Sequence, residues 1–301
     1  MENHTEKTEK TDNLELDFYP VHLISHSLPY TSTDATVWER TSVLGTLTMT
    51  ATPFTDENGE TRTILPSGKL ARLALLWLST EAKKTASPRV DLAASYRRFL
   101  ADLGLPWDSK TAHAAVDQLR AILAMTLTWR ASETLADGAT AHKSWNMLIG
   151  RKTVFVFDAS ADFDETRSHL LLSDDFYDLV IQSHTAPIDA TAWAKLIQST
   201  SSPLALDVYL WLSTRLPQVT SPVRISWEQL KEQFGTDISR ARDFKIKFRK
   251  ALVTAQKFYP AARVEEAGGG RGRRGGFRGI ILHPSPPAVP PAPNTNDDED
   301  D

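Results

Sequence analysis

Apolar side chains recur along this chain in two helical stripes. Leu70, Leu73, Ala74, Trp77 and Leu78 fall at i, i+3, i+4, i+7 and i+8, the spacing of one packed helix face. Leu204, Val208, Trp211, Leu212 and Leu216 predict a second helix of the same design. Ahead of the first, Leu47 and Met49 alternate with threonines like a strand, and Leu65-Pro66-Ser67-Gly68 breaks the chain before the helix begins. Ser202 before Pro203 marks the start of the other helix, because proline is pre-organised for a first helical turn and serine caps it.

The two stripes belong to a repeat. Trp77-Leu78-Ser79-Thr80 recurs as Trp211-Leu212-Ser213-Thr214, an offset of 134, and Ser87-Pro88 recurs at the same offset as Ser221-Pro222. After each Ser-Pro comes a short extended piece (Val90 to Leu92; Val223 to Ile225), then a helix ending near Leu103-Gly104 or Phe234-Gly235. A longer helix follows each glycine, over Asp108 to Met125 in the first copy and roughly Ile238 to Gln256 in the second. A strand pair completes the second copy, Ala262 to Glu265 with Gly279 to His283, and in the first copy Thr126 to Ala131 and Lys152 to Phe157 are the candidate strands. Helix, extended piece, helix, turn, long helix and strand pair is the order of a winged helix.

The predicted fold class is therefore α+β, two tandem winged-helix domains with disordered acidic tails. Residues 1–17 form an acidic arm, 18–185 the N-terminal domain, 186–283 the C-terminal domain and 284–301 a Pro-rich, then acidic tail. The chain has 301 residues and no cysteine, so disulfides and Cys-ligated zinc are excluded. The first 17 residues lack the apolar stretch of a signal peptide, and no window approaches the ~18 uncharged apolar residues of a membrane span. A soluble, cytoplasmic protein without cofactor or metal is expected.

Charge changes the picture. The net charge is -4, which looks wrong for a nucleic-acid binder, but residues 1–17 hold six acids against two bases and 297–301 are all acidic. Between Arg224 and Gly279 there are 14 bases and six acids, so one basic segment lies between acidic ends. Six of those bases, and one acid, fall between Ile238 and Gln256. On that helix Phe244, Phe248, Ala251, Leu252 and Ala255 make the core stripe, while Arg242, Lys245 and Arg249 cluster on the other side with Arg240 and Lys250 beside them. One face to bury and one presenting cations suits a helix lying in a DNA major groove. Ser239, Arg240, Arg242, Lys245, Lys247, Arg249 and Lys250 are the candidate contacts, and a solvated basic face is the plainer alternative. The Gly-rich wing adds Arg271, Arg273, Arg274 and Arg278 for the phosphate backbone or minor groove. In the first copy the equivalent helix is net neutral, Lys110 and Arg120 against Asp108 and Asp117, which predicts protein contacts with secondary DNA contacts through Lys110 and Arg120.

Enzyme signatures are missing. Gly68-Lys69 is followed by Leu70, with Thr63 where a phosphate-binding loop needs glycine. The Gly270-x-Gly272-x-x-Gly275 spacing lacks the helix and βαβ setting of a dinucleotide site, and neither HExxH nor GxSxG occurs.

Several longer motifs carry a resemblance. His26-Ser-Leu-Pro-Tyr-Thr-Ser-Thr-Asp-Ala-Thr-Val-Trp-Glu-Arg40, Leu75-Leu-Trp-Leu-Ser-Thr-Glu-Ala82, Ser202-Pro-Leu-Ala-Leu-Asp-Val-Tyr-Leu-Trp-Leu212, Trp227-Glu-Gln-Leu230 with Gln233-Phe-Gly235, and Arg242-Asp-Phe-Lys245 are similar to the RepA-type plasmid replication initiators. The similarity runs from about His22 to Pro287. It implies a protein that binds repeated double-stranded DNA sites (iterons) at a plasmid origin, helps open it and recruits host replication proteins such as the helicase and the host initiator. It also implies tandem winged helices and a homodimer in equilibrium with monomer, dimerising through the first domain to limit copy number. Two departures stand out: Pro106-Trp107-Asp108-Ser109 where glycines are expected, and the lengthened Gly/Arg wing. A tandem winged-helix repressor of its own promoter is the alternative; a relaxase-like nicking enzyme lacks its metal-binding and nucleophile pattern here.

Overall fold

A computed structural model describes residues 14–42, 45–92, 95–156, 168–181, 184–235, 238–268 and 277–290. The chain opens with strand β1 (Leu16–Pro20), a short helix α1 (Val21–Ser25), strands β2 (Val37–Ser42) and β3 (Gly45–Thr50), and the two-residue strands β4 (Phe54–Thr55) and β5 (Thr61–Arg62). The first repeat then runs α2 (Gly68–Thr85), β6 (Arg89–Asp91), α3 (Tyr96–Asp102), α4 (Ser109–Ala124), β7 (Thr126–Thr134), β8 (Thr140–Leu148), β9 (Gly150–Val154) and β10 (His169–Leu172). A linking stretch, α5 (Asp174–Ile181), β11 (Thr185–Asp189) and α6 (Ala190–Ser199), leads to the second repeat: α7 (Pro203–Arg215), β12 (Val223–Ser226), α8 (Trp227–Phe234), α9 (Ala241–Gln256), β13 (Val264–Ala267) and β14 (Gly279–Leu282). The architecture is mixed, helices packed with small sheets.

The two repeats share their sheet order. β6, β10 and β9 form one antiparallel sheet with β10 central, and β12, β14 and β13 form another with β14 central. Aromatic packing repeats too: Trp77 meets Phe99 edge-on at 5.3 Å, and Trp211 meets Phe234 edge-on at 5.4 Å. Here one expectation is corrected. Thr126 to Ala131 does not pair with the strand at Lys152; it lies in β7, whose partners are β3 and β8. The strand at Lys152 pairs instead with β10, Leu171 facing Lys152. The β7–β8 hairpin is an insertion between α4 and the first repeat's own sheet, drawn away by β2 and β3 into a four-stranded sheet.

Local chemistry sets the helix ends. Ser202 accepts from the Ala205 amide at 3.3 Å with Pro203 in the first turn of α7, and Asp108 accepts from the Thr111 amide at 2.7 Å to start α4 directly after Pro106-Trp107. Ser226 and Gln229 form a reciprocal capping box that turns β12 into α8. Lys69, beside the sequence that fails as a phosphate loop, donates to the carbonyls of Ile197 and Thr200 at the end of α6.

α2 is buried on all sides rather than along one stripe, from Ala71 through Thr80, because α4, α7 and β1 surround it. Inside this apolar helix sits Arg72, whose Nε and one Nη donate to Asp207 of α7 at 2.6 and 2.7 Å. Its remaining donors reach the carbonyls of Leu28, Pro29 and Gly68 at 2.8, 3.2 and 2.8 Å, so all five guanidinium N–H groups are engaged. Burial alone would lower the Arg72 pKa, but the Asp207 carboxylate outweighs it and holds the group further into its charged form. This pair ties the two repeats together at their central helices.

The described fold reaches into both segments read as tails. Leu16 and Asp17 belong to β1, which pairs antiparallel with β11 so that Leu16 faces Asp189. At the other end, Tyr259 donates to the Pro286 carbonyl at 2.6 Å and Ser285 accepts from the Arg263 amide at 3.0 Å, seating Ser285 and Pro286 against the second repeat. Residues 1–13 and 291–301 lie outside the described residues.

Candidate nucleic-acid interface

α9 is positioned from beneath by aromatic packing. Phe244, Phe248, Ala251 and Ala255 are its buried side, with Phe248 against Phe234 at 5.6 Å and edge-on to Trp227 at 6.0 Å. Gly235 lets α8 and α9 approach: a Cβ there would stand 2.4 Å from Phe244 Cδ2. Gly279 does the same for β14 against β12, where a Cβ would fall 2.0 Å from the Ile225 carbonyl oxygen.

The opposite side of α9 faces solvent. Ser239, Arg240, Arg242, Lys247 and Lys250 are exposed, and Lys245 is half-buried with Nζ 5.7 Å from the Trp227 ring centre. The Trp227 ring, itself buried at the start of α8, therefore serves as a platform that orients Lys245 and Arg249, the latter 5.1 Å from the ring centre. Arg249 differs from the other cations. Its Nε donates to Glu266 of β13 at 2.8 Å and its Nη2 to the other carboxylate oxygen, which together hold the guanidinium above its ordinary pKa. This side chain braces the helix against the strand pair and is less free than Arg242 to reach a phosphate.

At the strand pair, Arg278 is exposed and Phe277 lies 5.7 Å from the Arg224 guanidinium. Arg271, Arg273 and Arg274 lie outside the described residues. Trp227, Arg224 and Glu266 are not singled out by helix periodicity, because each acts from a neighbouring element. The signal that could have found Glu266 was the consecutive pair Glu265-Glu266 in an otherwise basic stretch.

The first repeat contributes less. Lys110 is exposed in the first turn of α4. Arg120, expected to be a secondary contact, is corrected: it is only 7% exposed, its guanidinium stacks 4.9 Å from the Phe155 ring centre, and it pairs with Asp117 at 3.4 Å. The segment carrying β4 and β5 lies across the outside of α4, where Glu57 pairs with His113 at 2.7 Å and accepts from Tyr96, and Arg62 pairs with Asp117. Those two hydrogen bonds to Glu57 outweigh its slight burial and hold its carboxyl below the usual range.

Among the described residues no group of three or more His, Asp or Glu is placed to hold a metal, and no helix is long and apolar enough to cross a membrane.

Comparisons with known proteins place this geometry. Two crystal structures of RctB domains 2 and 3 share the fold: one with a TM-score of 0.50 at 10% identity, over 87% of this chain and 95% of that one, the other, a selenomethionine derivative, with a TM-score of 0.55 at 10% identity, over 88% and 96%. No curated protein sequence matches the chain. A family model described as plasmid-encoded RepA protein matches residues 65–229, from just ahead of α2 into α8, so that α9 and the strand pair lie beyond it. That match spans more than half of the chain and takes in both apolar helices and the Arg72–Asp207 joint; the protein belongs to the family of plasmid-encoded RepA proteins, the replication initiators its motifs resemble.

Proposed function

We propose that this chain initiates plasmid replication by binding repeated double-stranded sites at the origin, with α9 as the recognition helix of a C-terminal winged helix and the β13–β14 pair as its wing. The observation that carries this reading is the open, cationic side of α9: Arg242, Lys245, Lys247 and Lys250 with Asp243 as the single acid of the helix. Such a surface gains affinity by displacing counterions from phosphates, while Arg and Lys at its centre can reach base edges. The first repeat, with its longer helix covered, is assigned to self-association, a homodimer in equilibrium with the binding monomer. Opening of the origin, recruitment of the host helicase and host initiator, and copy control follow in this reading from occupancy of the repeats, in the cytoplasm and without catalytic chemistry of the chain's own.

Footprinting of the full chain on DNA flanking its gene tests the proposal. Protection of direct repeats spaced near whole helical turns, about 10.5 base pairs or multiples, is expected. Arg242→Ala and Lys245→Ala should each weaken that protection, and unchanged footprints in both would refute the assignment of α9. A single protected inverted repeat would instead support a repressor of the chain's own promoter.

A further inference from the structure

We propose that Ile246 reads the 5-methyl group of a thymine. The inference rests on α9 lying in the major groove and adds what that helix recognises there. Ile246 is 53% exposed, although isoleucine is among the side chains most often buried. Its place on the helix gives the reason. At 100° per residue it lies about 40° from Arg242 and about 60° from Arg249, in the middle of the side opposite the Phe244–Phe248 stripe. Cations surround it: Arg242 one turn before, Arg249 and Lys250 one turn after, Lys245 and Lys247 on either side. A protein partner for so cationic a rim would need a matching ring of acids, whereas a DNA groove supplies phosphate on both walls. Within that groove the thymine methyl is the apolar group on a base edge, and an aliphatic side chain is its match. Ile246 also stands in the second turn of α9, and the N-terminal part of a recognition helix is the part that meets base edges.

Val253 supplies an internal control. It shares the same side and is 58% exposed, but it stands about 10.5 Å further along the axis, past the N-terminal turns. The inference assigns no base to it.

The experiment uses the full chain and duplexes carrying its footprinted site, with each thymine replaced in turn by deoxyuridine, which removes the methyl and nothing else. At one position wild-type affinity should fall about four-fold, the effect of withdrawing one buried methyl group. Ile246→Ala should bind the thymine duplex more weakly by a similar factor and show no further loss on the uracil duplex, while Val253→Ala should keep the wild-type dependence. If no uracil duplex weakens wild-type binding although Arg242→Ala does, the inference falls and the groove reading of α9 stands. If Arg242→Ala is also without effect, the groove reading itself falls. A uracil response in Ile246→Ala equal to wild type places the reader elsewhere, and loss of self-association by Ile246→Ala with base preference intact would assign this face to a protein contact; either overturns the inference.

Discussion

α4 and α9 occupy the same station in the two repeats, each following a short helix and a glycine, each starting a 16-residue helix. Their outer sides are in opposite states. On α4 the β4–β5 segment lies over the helix, His113 and Asp117 are taken up by Glu57 and Arg62, Arg120 turns inward, and Thr52 donates to the carbonyl of Ala124 at the helix end. On α9 the cations stay outside, and the one acid that meets them, Glu266, engages Arg249 alone among the bases of that helix for which an ion pair is described. A helix-turn-helix order therefore does not by itself leave an open cationic face. What decides is whether a neighbouring segment has already claimed the helix, and in the first repeat one has.

Both helices hang on the α2–α7 joint, so the largest effect is expected there. Asp207→Ala leaves Arg72 buried without its counter-charge and should cost about 3–5 kcal/mol, lowering one cooperative unfolding transition in thermal denaturation. Two separate transitions in the unaltered chain would show that the repeats are not bound into one frame. Gly235→Ala forces a methyl against Phe244 and should destabilise by about 1–3 kcal/mol, with DNA affinity falling as α9 is displaced; full stability measured by denaturant titration would remove the close-approach argument. Arg242→Ala should weaken specific binding by about 1–3 kcal/mol if it reads a base, whereas Lys110→Ala should change it by less than about 0.5 kcal/mol. Equal losses for the two in a titration would erase the distinction drawn between α9 and α4. The smallest effect is a gain: Glu266→Gln frees Arg249 and removes a negative charge beside the proposed DNA face. Affinity should rise, and the slope of log affinity against log salt should steepen by about one phosphate contact, a change absent if Arg249 never reaches DNA.

Much of the frame is legible along the chain, for physical reasons that also mark where legibility stops. The Trp77 and Trp211 helices announce themselves because their apolar runs are too long for a strand, although each is buried all round rather than along one stripe, and the starts of α7 and α4 because capping is a matter of one or two neighbouring side chains. β7 was legible as a strand but not by its partner, since pairing with β3 depends on residues some 80 positions away and the local alternation is the same either way. β4 and β5 are two residues each and carry no period, so the cover over α4 left no trace. Arg120 and Arg249 show the same limit for charge: helical geometry places them on a face, but Asp117 with Phe155 and Glu266 with Trp227 decide whether the face is open. Arg72 and Asp207 did leave a signal, the one charge within each apolar run, Leu70 to Leu78 and Leu204 to Leu212, of opposite sign and four or five residues before the repeated tryptophan.

That pair has a consequence in inheritance. Two codons 135 residues apart specify a contact in which neither side chain tolerates change alone, since each single substitution strands a charge in the interior. A joint replacement by two aliphatic residues of similar volume removes both charges and can be close to neutral. Suppressor genetics should therefore find that an Arg72→Met lineage recovers through second changes at Asp207, and diverging lineages should exchange the two positions together or keep both.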